Sequence, residues 1–157
     1  MKGIENLPDG YNEIYSVDLQ KSKKVALFVN VLAIIIAVLL IVPMCFVIPL
    51  SSLFSMENGM QNYIIRFAVL LVLIILYMLL HELVHGIAMK ICGTKKVKYG
   101  FTGLYAFAGS DDYYDKKAYI FIALAPVVLW GIVLSVLLFV VDLEWFWIVY
   151  FIQIIMV

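Results

Sequence analysis

Residues 76–85 read LYMLLHELVH, so a strongly apolar run passes directly into the five residues HELVH at positions 81–85. This is an HExxH pattern, in which two histidines one helical turn apart bind a zinc ion. The glutamate between them acts as general base on a zinc-bound water. The sequence contains no histidine besides His81 and His85. The stretch therefore predicts metal chemistry on an apolar helix, inside a membrane or at its edge.

The composition is that of an integral membrane protein. Of the 157 residues, 66% are hydrophobic and only 14% are charged, whereas soluble domains are about half apolar and about a quarter charged. The 11 basic residues equal the 11 acidic residues, so the chain has no net field that would attract a nucleic acid. We predict one membrane domain, in contact with lipid and with no nucleic-acid partner.

The pattern of apolar runs predicts an all-α polytopic fold with a short β-hairpin. Residues 1–24 are polar and form a cytosolic tail with a turn at Pro8-Asp9-Gly10 and a short strand. Residues 25–157 form the membrane domain. Its predicted elements are helices at 25–50, 63–92, 118–141 and 145–157 and a β-hairpin at 97–110.

The second predicted helix carries HELVH near one end. Thirty residues rise about 45 Å, more than the hydrocarbon thickness of about 30 Å, so this helix must tilt or protrude. Counted from Tyr63, the motif falls roughly 27 to 33 Å along the axis, near the boundary of the hydrocarbon. Gly93 and the two lysines after Thr94 predict the end of the helix.

The fourth predicted helix is short. Thirteen residues rise only about 20 Å, which is less than a membrane span requires. The apolar run also stops at Val157 without a polar flank or a cap. We therefore expect the natural protein to continue past Val157. Trp145 and Trp147 are expected to form an interfacial aromatic belt.

The distribution of lysines predicts the orientation in the membrane. The connections after the first and third helices contain no lysine, and Arg66 is expected to extend outward to the far interface. The lysines fall in the N-terminal tail and in the region after the second helix: Lys2, Lys21, Lys23 and Lys24, then Lys90, Lys95, Lys96, Lys98, Lys116 and Lys117. By the positive-inside rule, a multi-pass cell-membrane protein is predicted with its N-terminus and its HELVH end in the cytoplasm.

Two histidines do not complete a catalytic zinc site, which takes three protein ligands and a water. The third ligand is either a carboxylate or a residue beyond Val157. Three acids lie on the predicted cytoplasmic side, but we favour a solvated loop for them, balanced by Lys116 and Lys117. These acids are Asp111, Asp112 and Asp115. Asp142 and Glu144 lie on the opposite side and are excluded.

The two cysteines are expected to be small apolar fillers. Cys45 and Cys92 fall near opposite membrane faces in the predicted topology, too far apart for a disulfide. Cys92 follows His85 by seven residues, roughly 10 Å along the helix, so it cannot share a metal with the histidines.

The segment 97–110 has two interpretations. It is either a packed amphipathic hairpin or an edge strand that pairs with the extended backbone of a polypeptide substrate. A protease must unwind a membrane helix before water can attack its peptide bonds, and strand addition would hold the substrate open.

HELVHG at the end of a helix, the glycine-rich strands after it and Ala123-Leu124-Ala125-Pro126 resemble the intramembrane zinc metalloproteases of the site-2 protease class. Together with Leu7-Pro8-Asp9-Gly10-Tyr11 and the following lysine cluster, they most resemble the small bacterial membrane proteins called putative zincin peptidases. Leu83-Val84 and Ala125 depart from the glycines usual in site-2 proteases. The resemblance implies His81 and His85 as zinc ligands and Glu82 as general base. In site-2 proteases an aspartate from a later helix is the third ligand, and no residue of this sequence matches that aspartate motif.

The sequence thus predicts a zinc-dependent metallopeptidase that hydrolyses membrane-associated polypeptides near the cytosolic face. One alternative is a non-catalytic membrane protein that binds a metal or a partner through the same residues. A transporter subunit with a metal site at the membrane midplane is a further alternative, but the predicted position near the inner interface argues against it. Substrate and oligomeric state are not indicated by the sequence.

Overall fold

A computed structural model describes residues 3–14, 22–101 and 106–155. Four α-helices contain most of these residues, and three of them are long and apolar enough to cross a membrane. The helices are α1 (Lys23–Val47), α2 (Met60–Ile91), α3 (Lys116–Leu138) and α4 (Leu143–Ile155). The remaining elements are a 3-10 helix (Leu50–Phe54) and strands β1 (Gly3–Ile4), β2 (Lys98–Phe101), β3 (Ala106–Gly109) and β4 (Tyr113–Tyr114). The predicted fold class, helical with a short hairpin, is confirmed.

Local sequence signals set the ends of the helices a few residues from the predicted positions. Helix α1 ends at Val47, because Pro49 has no N–H with which to continue the helical hydrogen bonds. The 3-10 helix begins directly after Pro49. Helix α3 begins two residues earlier than predicted, since the Asp115 side chain caps it by accepting a 2.6 Å hydrogen bond from the Ala118 amide. Asp115, which the sequence analysis assigned to a solvated loop, is thus the N-terminal cap of α3.

Helix α2 ends where the sequence predicted. Gly93 has a φ of +95°, its amide donates to the Lys90 carbonyl at 3.0 Å, and the Thr94 amide donates to the Met89 carbonyl at 3.1 Å. This is a Schellman motif, which requires the left-handed conformation that glycine adopts without steric cost. It ends the helix six residues after His85 and leads the chain into the hairpin.

Helices α2, α3 and α4 pack together, and α4 is the most enclosed of the four. Trp147 of α4 is fully buried, and its Nε1 donates to the Pro49 carbonyl at 3.2 Å. The Tyr150 hydroxyl of α4 donates to the Leu40 carbonyl of α1 at 2.8 Å. The prediction of an interfacial belt is therefore wrong for Trp147. Helix α4 packs against the longer helices, so its aromatic residues lie in the core.

Arg66 is also buried, with 3% of its surface exposed, although the sequence predicted that it would extend outward. Its guanidinium donates to the Ser55 carbonyl and, at 3.4 Å, to the Glu144 carbonyl. The Glu144 carboxylate lies 3.8 Å from it. These contacts involve the two terminal nitrogens of the guanidinium, and through them the side chain connects α2 to α4 and to the segment before α2.

Two small antiparallel sheets lie at the HELVH end of α2. Strands β2 and β3 form the predicted hairpin, with Tyr99 opposite Ala108, and its tip at 102–105 is outside the described residues. Strand β1 pairs with β4, and the Gly3 amide donates to the Cys92 carbonyl at 2.7 Å. The N-terminal segment thus packs against the end of the site helix. The Pro8–Gly10 turn is present, with a positive φ at Gly10.

Candidate metal centre

His81, Glu82 and His85 lie together on α2. One ligating atom of each residue lies within 4.8 Å of those of the other two, and all three side chains are half-buried. The spacing i, i+1 and i+4 places them on adjoining positions of one helical turn. The structure thus brings together the three residues that the sequence singled out.

His81 is oriented by Tyr77, one turn earlier on α2. The Tyr77 hydroxyl lies 2.7 Å from Nδ1 of His81, and the two rings meet edge to face at 5.5 Å. Tyr77 is buried and packs edge to face against Trp130 of α3 at 6.0 Å. The hydroxyl engages Nδ1, so Nε2 is the His81 nitrogen left for a metal. Sequence reasoning missed this role, which the i, i+4 spacing could have indicated.

His85 is oriented by a different helix. Its Nδ1 lies 2.9 Å from the carbonyl oxygen of Ile122 on α3. Because a carbonyl can only accept, Nδ1 of His85 carries the proton and donates. Nε2 then has a free lone pair. Metal-binding histidines are commonly held in this way, with one ring nitrogen on the metal and the other hydrogen-bonded to a neighbouring group.

Glu82 is held by the hairpin. The backbone amide of Ala108 on β3 donates a 2.7 Å hydrogen bond to Oε2 of Glu82. The Ala108 N–H therefore points away from β2, and the Ala108 carbonyl lies on the same outer edge. This edge of β3 borders the site.

Gly86 allows the hairpin to approach α2 closely. A Cβ at this position would overlap the hydroxyl and ring of Tyr99 on β2. Tyr99 is opposite Ala108 in the hairpin. The hairpin is therefore fixed to α2 at two successive turns, through Tyr99 on Gly86 and through Ala108 on Glu82. No sequence pattern specified which strand residue would meet Gly86.

A cavity of about 240 Å³ lies beside Glu82 and His85, between α2, α3 and β3. Glu82 and His85 form part of its wall, and Ala108 and Met89 contribute as well. Any group bound there would contact the candidate metal-binding face directly.

The other acids have separate partners or positions. Asp111 pairs with Lys98 at 2.5 Å, Asp115 caps α3, and Glu144 pairs with Arg66. Among the residues that the structure describes, no further histidine, cysteine or acid joins the group on α2. Cys45 and Cys92 are unbonded to each other, as expected.

The donor set fits zinc. Two imidazole nitrogens whose opposite ring atoms are already hydrogen-bonded, with a carboxylate beside them, are what a zinc centre of the HExxH type takes. The site is incomplete within the described part of the chain, because a catalytic zinc takes a third protein ligand.

A half-buried group of two histidines and a glutamate, on a helix long and apolar enough to cross a membrane, is the arrangement expected of a membrane metallopeptidase. A family model described as "Putative zincin peptidase" matches residues 73–157, more than half of the chain. The chain belongs to this family, as its resemblance predicted. The match includes the whole HELVH segment, the hairpin, α3 and α4. No curated protein and no solved structure matches the chain.

Proposed function

We propose that the protein is a membrane-embedded zinc metallopeptidase that hydrolyses peptide bonds of membrane-associated polypeptides near the cytosolic face. The observation that carries the proposal is that both histidines on α2 form a hydrogen bond through Nδ1. Tyr77 engages His81 and the Ile122 carbonyl engages His85. This leaves two Nε2 atoms as ligands beside the carboxylate of Glu82.

In this mechanism His81 and His85 hold the metal and Glu82 moves the proton. Zinc bound there would polarise the scissile carbonyl and activate a water molecule for attack. Glu82 accepts the proton of the attacking water at a carboxylate oxygen and passes it to the departing amine. Water adds OH to the acyl side and H to the amine side, so the peptide bond is hydrolysed without any other reactant.

The outer edge of β3 would hold the substrate. Ala108 presents its N–H and C=O there, beside Glu82. An extended segment can add to such an edge through main-chain hydrogen bonds, independently of its sequence. A substrate carbonyl that took the Ala108 N–H would release Glu82 from this hydrogen bond at the moment when the base is needed.

The orientation supports a site near the cytosolic face. The lysines near the HELVH end of α2 support a cytosolic position for this end by the positive-inside rule. The proposal therefore concerns substrates that reach the inner boundary of the membrane.

Zinc content and cleavage test the proposal together. Purified protein in detergent is expected to contain about one zinc per chain and to cleave a quenched-fluorescence peptide library. His81→Ala should lose both zinc and cleavage, whereas Glu82→Gln should keep zinc and lose cleavage. Absence of zinc from the wild-type protein after loading and mild dialysis would contradict the proposal.

A non-catalytic metal-binding membrane protein is the second candidate. The hydrogen bond between Ala108 and Glu82 favours it, because this bond gives the carboxylate a structural role in holding the hairpin. The same variants separate the two functions. If wild-type protein binds zinc and cleaves nothing, and Glu82→Gln loosens the hairpin, the non-catalytic function is supported.

A further inference from the structure

We propose that a groove between α2 and α3 binds one anionic phospholipid, with an acyl chain along its apolar wall and the phosphate at Lys117. The groove has a volume of about 650 Å³. Its lining residues lie between positions 84 and 91 of α2 and between positions 117 and 132 of α3. Neither Glu82 nor His85 contributes to it, so this site is separate from the cavity beside the metal centre.

The wall of the groove is apolar except at one end. On α3, every lining residue after Lys117 is apolar, from Ile120 to Ile132. A hydrocarbon chain fits such a wall through van der Waals contacts, since neither side offers a polar group. On α2, the lining residues are spaced so that they form one face of the helix. They are Val84, Ile87, Ala88 and Ile91.

The length of the groove matches one leaflet of a bilayer. Ile120 and Ile132 are twelve positions apart on α3, which corresponds to about 18 Å along the helix axis. Half of the hydrocarbon thickness of a membrane is about 15 Å. A partner helix that crossed the membrane would extend over about twice this length. The groove therefore suits a chain that starts at one membrane surface and ends near the midplane.

Lys117 supplies a positive charge at the end of the groove. This residue is exposed in the first turn of α3, where the positive end of the helix dipole adds to its charge. The ion pairs among the described residues do not include Lys117. Asp115, two residues earlier, accepts a hydrogen bond from the Ala118 amide. An anionic group at the mouth of the groove is therefore the complement of Lys117.

The surroundings favour a phospholipid over a partner helix or a second copy of the chain. The lysines of the sequence predict that this end of α3 lies at the cytoplasmic surface. The cytoplasmic leaflet carries anionic lipids, and basic pockets between membrane helices on this side bind their head groups. Interfaces between membrane helices are enriched in small residues, whereas this wall consists mainly of large aliphatic residues and Phe121.

A lipid in the groove would contact both helices that form the metal centre. Ala88 of α2 lines the groove and packs with Ala118 and Ile122 of α3 in one core cluster. The Ile122 carbonyl accepts the hydrogen bond from His85. The groove therefore borders the helix contact that orients His85.

Native mass spectrometry of the full chain in detergent tests the charged end of the site. The two probes are dioleoylphosphatidylglycerol and dioleoylphosphatidylcholine, which share their acyl chains and differ in the net charge of the head group. The proteins are wild type, Lys117→Gln, Lys117→Arg and Lys116→Gln. Lys116 is the control, because it is also exposed but does not line the groove.

Wild-type protein should bind one phosphatidylglycerol molecule about fivefold more tightly than phosphatidylcholine, the scale of the attraction between one basic residue and an anionic lipid surface. Lys117→Gln should abolish this preference, and Lys117→Arg should retain it. Lys116→Gln should leave the preference unchanged.

Leu124→Trp tests the apolar part of the site. Leu124 is 50% exposed and lines the groove, whereas Val133 is 44% exposed and does not line it. The two positions lie on opposite sides of α3. Leu124→Trp should therefore weaken the binding of both lipids, and Val133→Trp should not. The melting temperature without lipid shows whether each variant is folded, and the lysine variants decide the outcome if Leu124→Trp is not.

Three outcomes would overturn the proposal. The first is a wild-type protein without a preference for phosphatidylglycerol, and the second is an equal loss of the preference in Lys117→Gln and Lys116→Gln, which would indicate diffuse attraction only. The third is a wild-type dimer that Leu124→Trp converts to a monomer while lipid binding stays unchanged, which would assign the groove to a second copy of the chain. None of these outcomes depends on zinc or on cleavage, so the proposed function is tested separately.

Discussion

The backbone N–H of Ala108 donates a 2.7 Å hydrogen bond to the carboxylate of Glu82, a residue 26 positions earlier in the chain. This bond joins the β2–β3 hairpin to the proposed general base. Through Tyr99, which is opposite Ala108 and packs on Gly86, the same hairpin contacts α2 one turn further along. The hairpin and the site helix therefore act as one unit.

Ala108→Pro should lower cleavage about tenfold or more. Proline removes the N–H that holds Glu82 in the free protein and that would bond the substrate carbonyl in the complex. A hydrogen bond to a charged group contributes about 1.5–3 kcal/mol. The outward N–H is not part of the ladder with β2, so the hairpin can keep its register. The measurement is kcat/KM on the peptide library, with zinc content as a check on folding.

Ala106→Pro is the control for this change. Ala106 is two residues away on the same strand, and the structure shows no bond from its amide to Glu82. Equal losses in both variants would show that damage to the strand, rather than loss of the Glu82 contact, lowers the activity.

Tyr77→Phe should weaken zinc binding. Removing the hydroxyl frees His81 to rotate, and loss of such an outer partner typically costs 10–100-fold in metal affinity. The ring remains to pack on Trp130, so the fold should persist. Chelator competition measures the zinc affinity. Tyr150→Phe is the control, because the Tyr150 hydroxyl bonds the Leu40 carbonyl and not a histidine. The zinc affinity of this variant should equal that of wild type. Unchanged affinity in Tyr77→Phe would contradict the assigned role.

Gly86→Ala should separate the hairpin from α2. The added methyl group overlaps Tyr99, and overpacking of this kind costs about 1–3 kcal/mol. Limited proteolysis should therefore cut the hairpin faster than in wild type, and the double variant with Tyr99→Ala should recover much of the resistance. Gly109→Ala is the control, because no heavy atom lies within 4 Å of a Cβ there. A proteolysis rate in Gly86→Ala equal to that of the control would count against this contact.

Glu144→Gln should lower thermal stability without changing zinc binding. The Arg66 side chain is 4% exposed and that of Glu144 is 33% exposed, at a distance of 3.8 Å. Loss of the carboxylate charge leaves the guanidinium with its carbonyl partners alone, at an expected cost of about 1–3 kcal/mol. Lys95→Gln breaks an exposed pair with Glu5 and should cost under about 1 kcal/mol. A zinc affinity that fell with Glu144→Gln would contradict the separation of this pair from the metal centre.

The sequence by itself determined the three helices that are long and apolar enough to cross a membrane, the hairpin after α2 and the grouping of His81, Glu82 and His85. These follow from local rules: apolar length defines a span, Gly93 ends a helix, and 3.6 residues per turn bring i and i+4 together. Tyr77 obeys the same rule, since it precedes His81 by four residues.

Only the tertiary structure decided what holds the site and what lies in the core. The Ile122 carbonyl reaches His85 from α3, the Ala108 amide reaches Glu82 from β3, and Arg66 and Trp147 turn inward. The three long helices are apolar over most of their circumference, so their sequences contain no clear periodicity that marks the inward face. Which face packs, and which backbone group meets a histidine, depends on contacts between elements that are far apart in the chain.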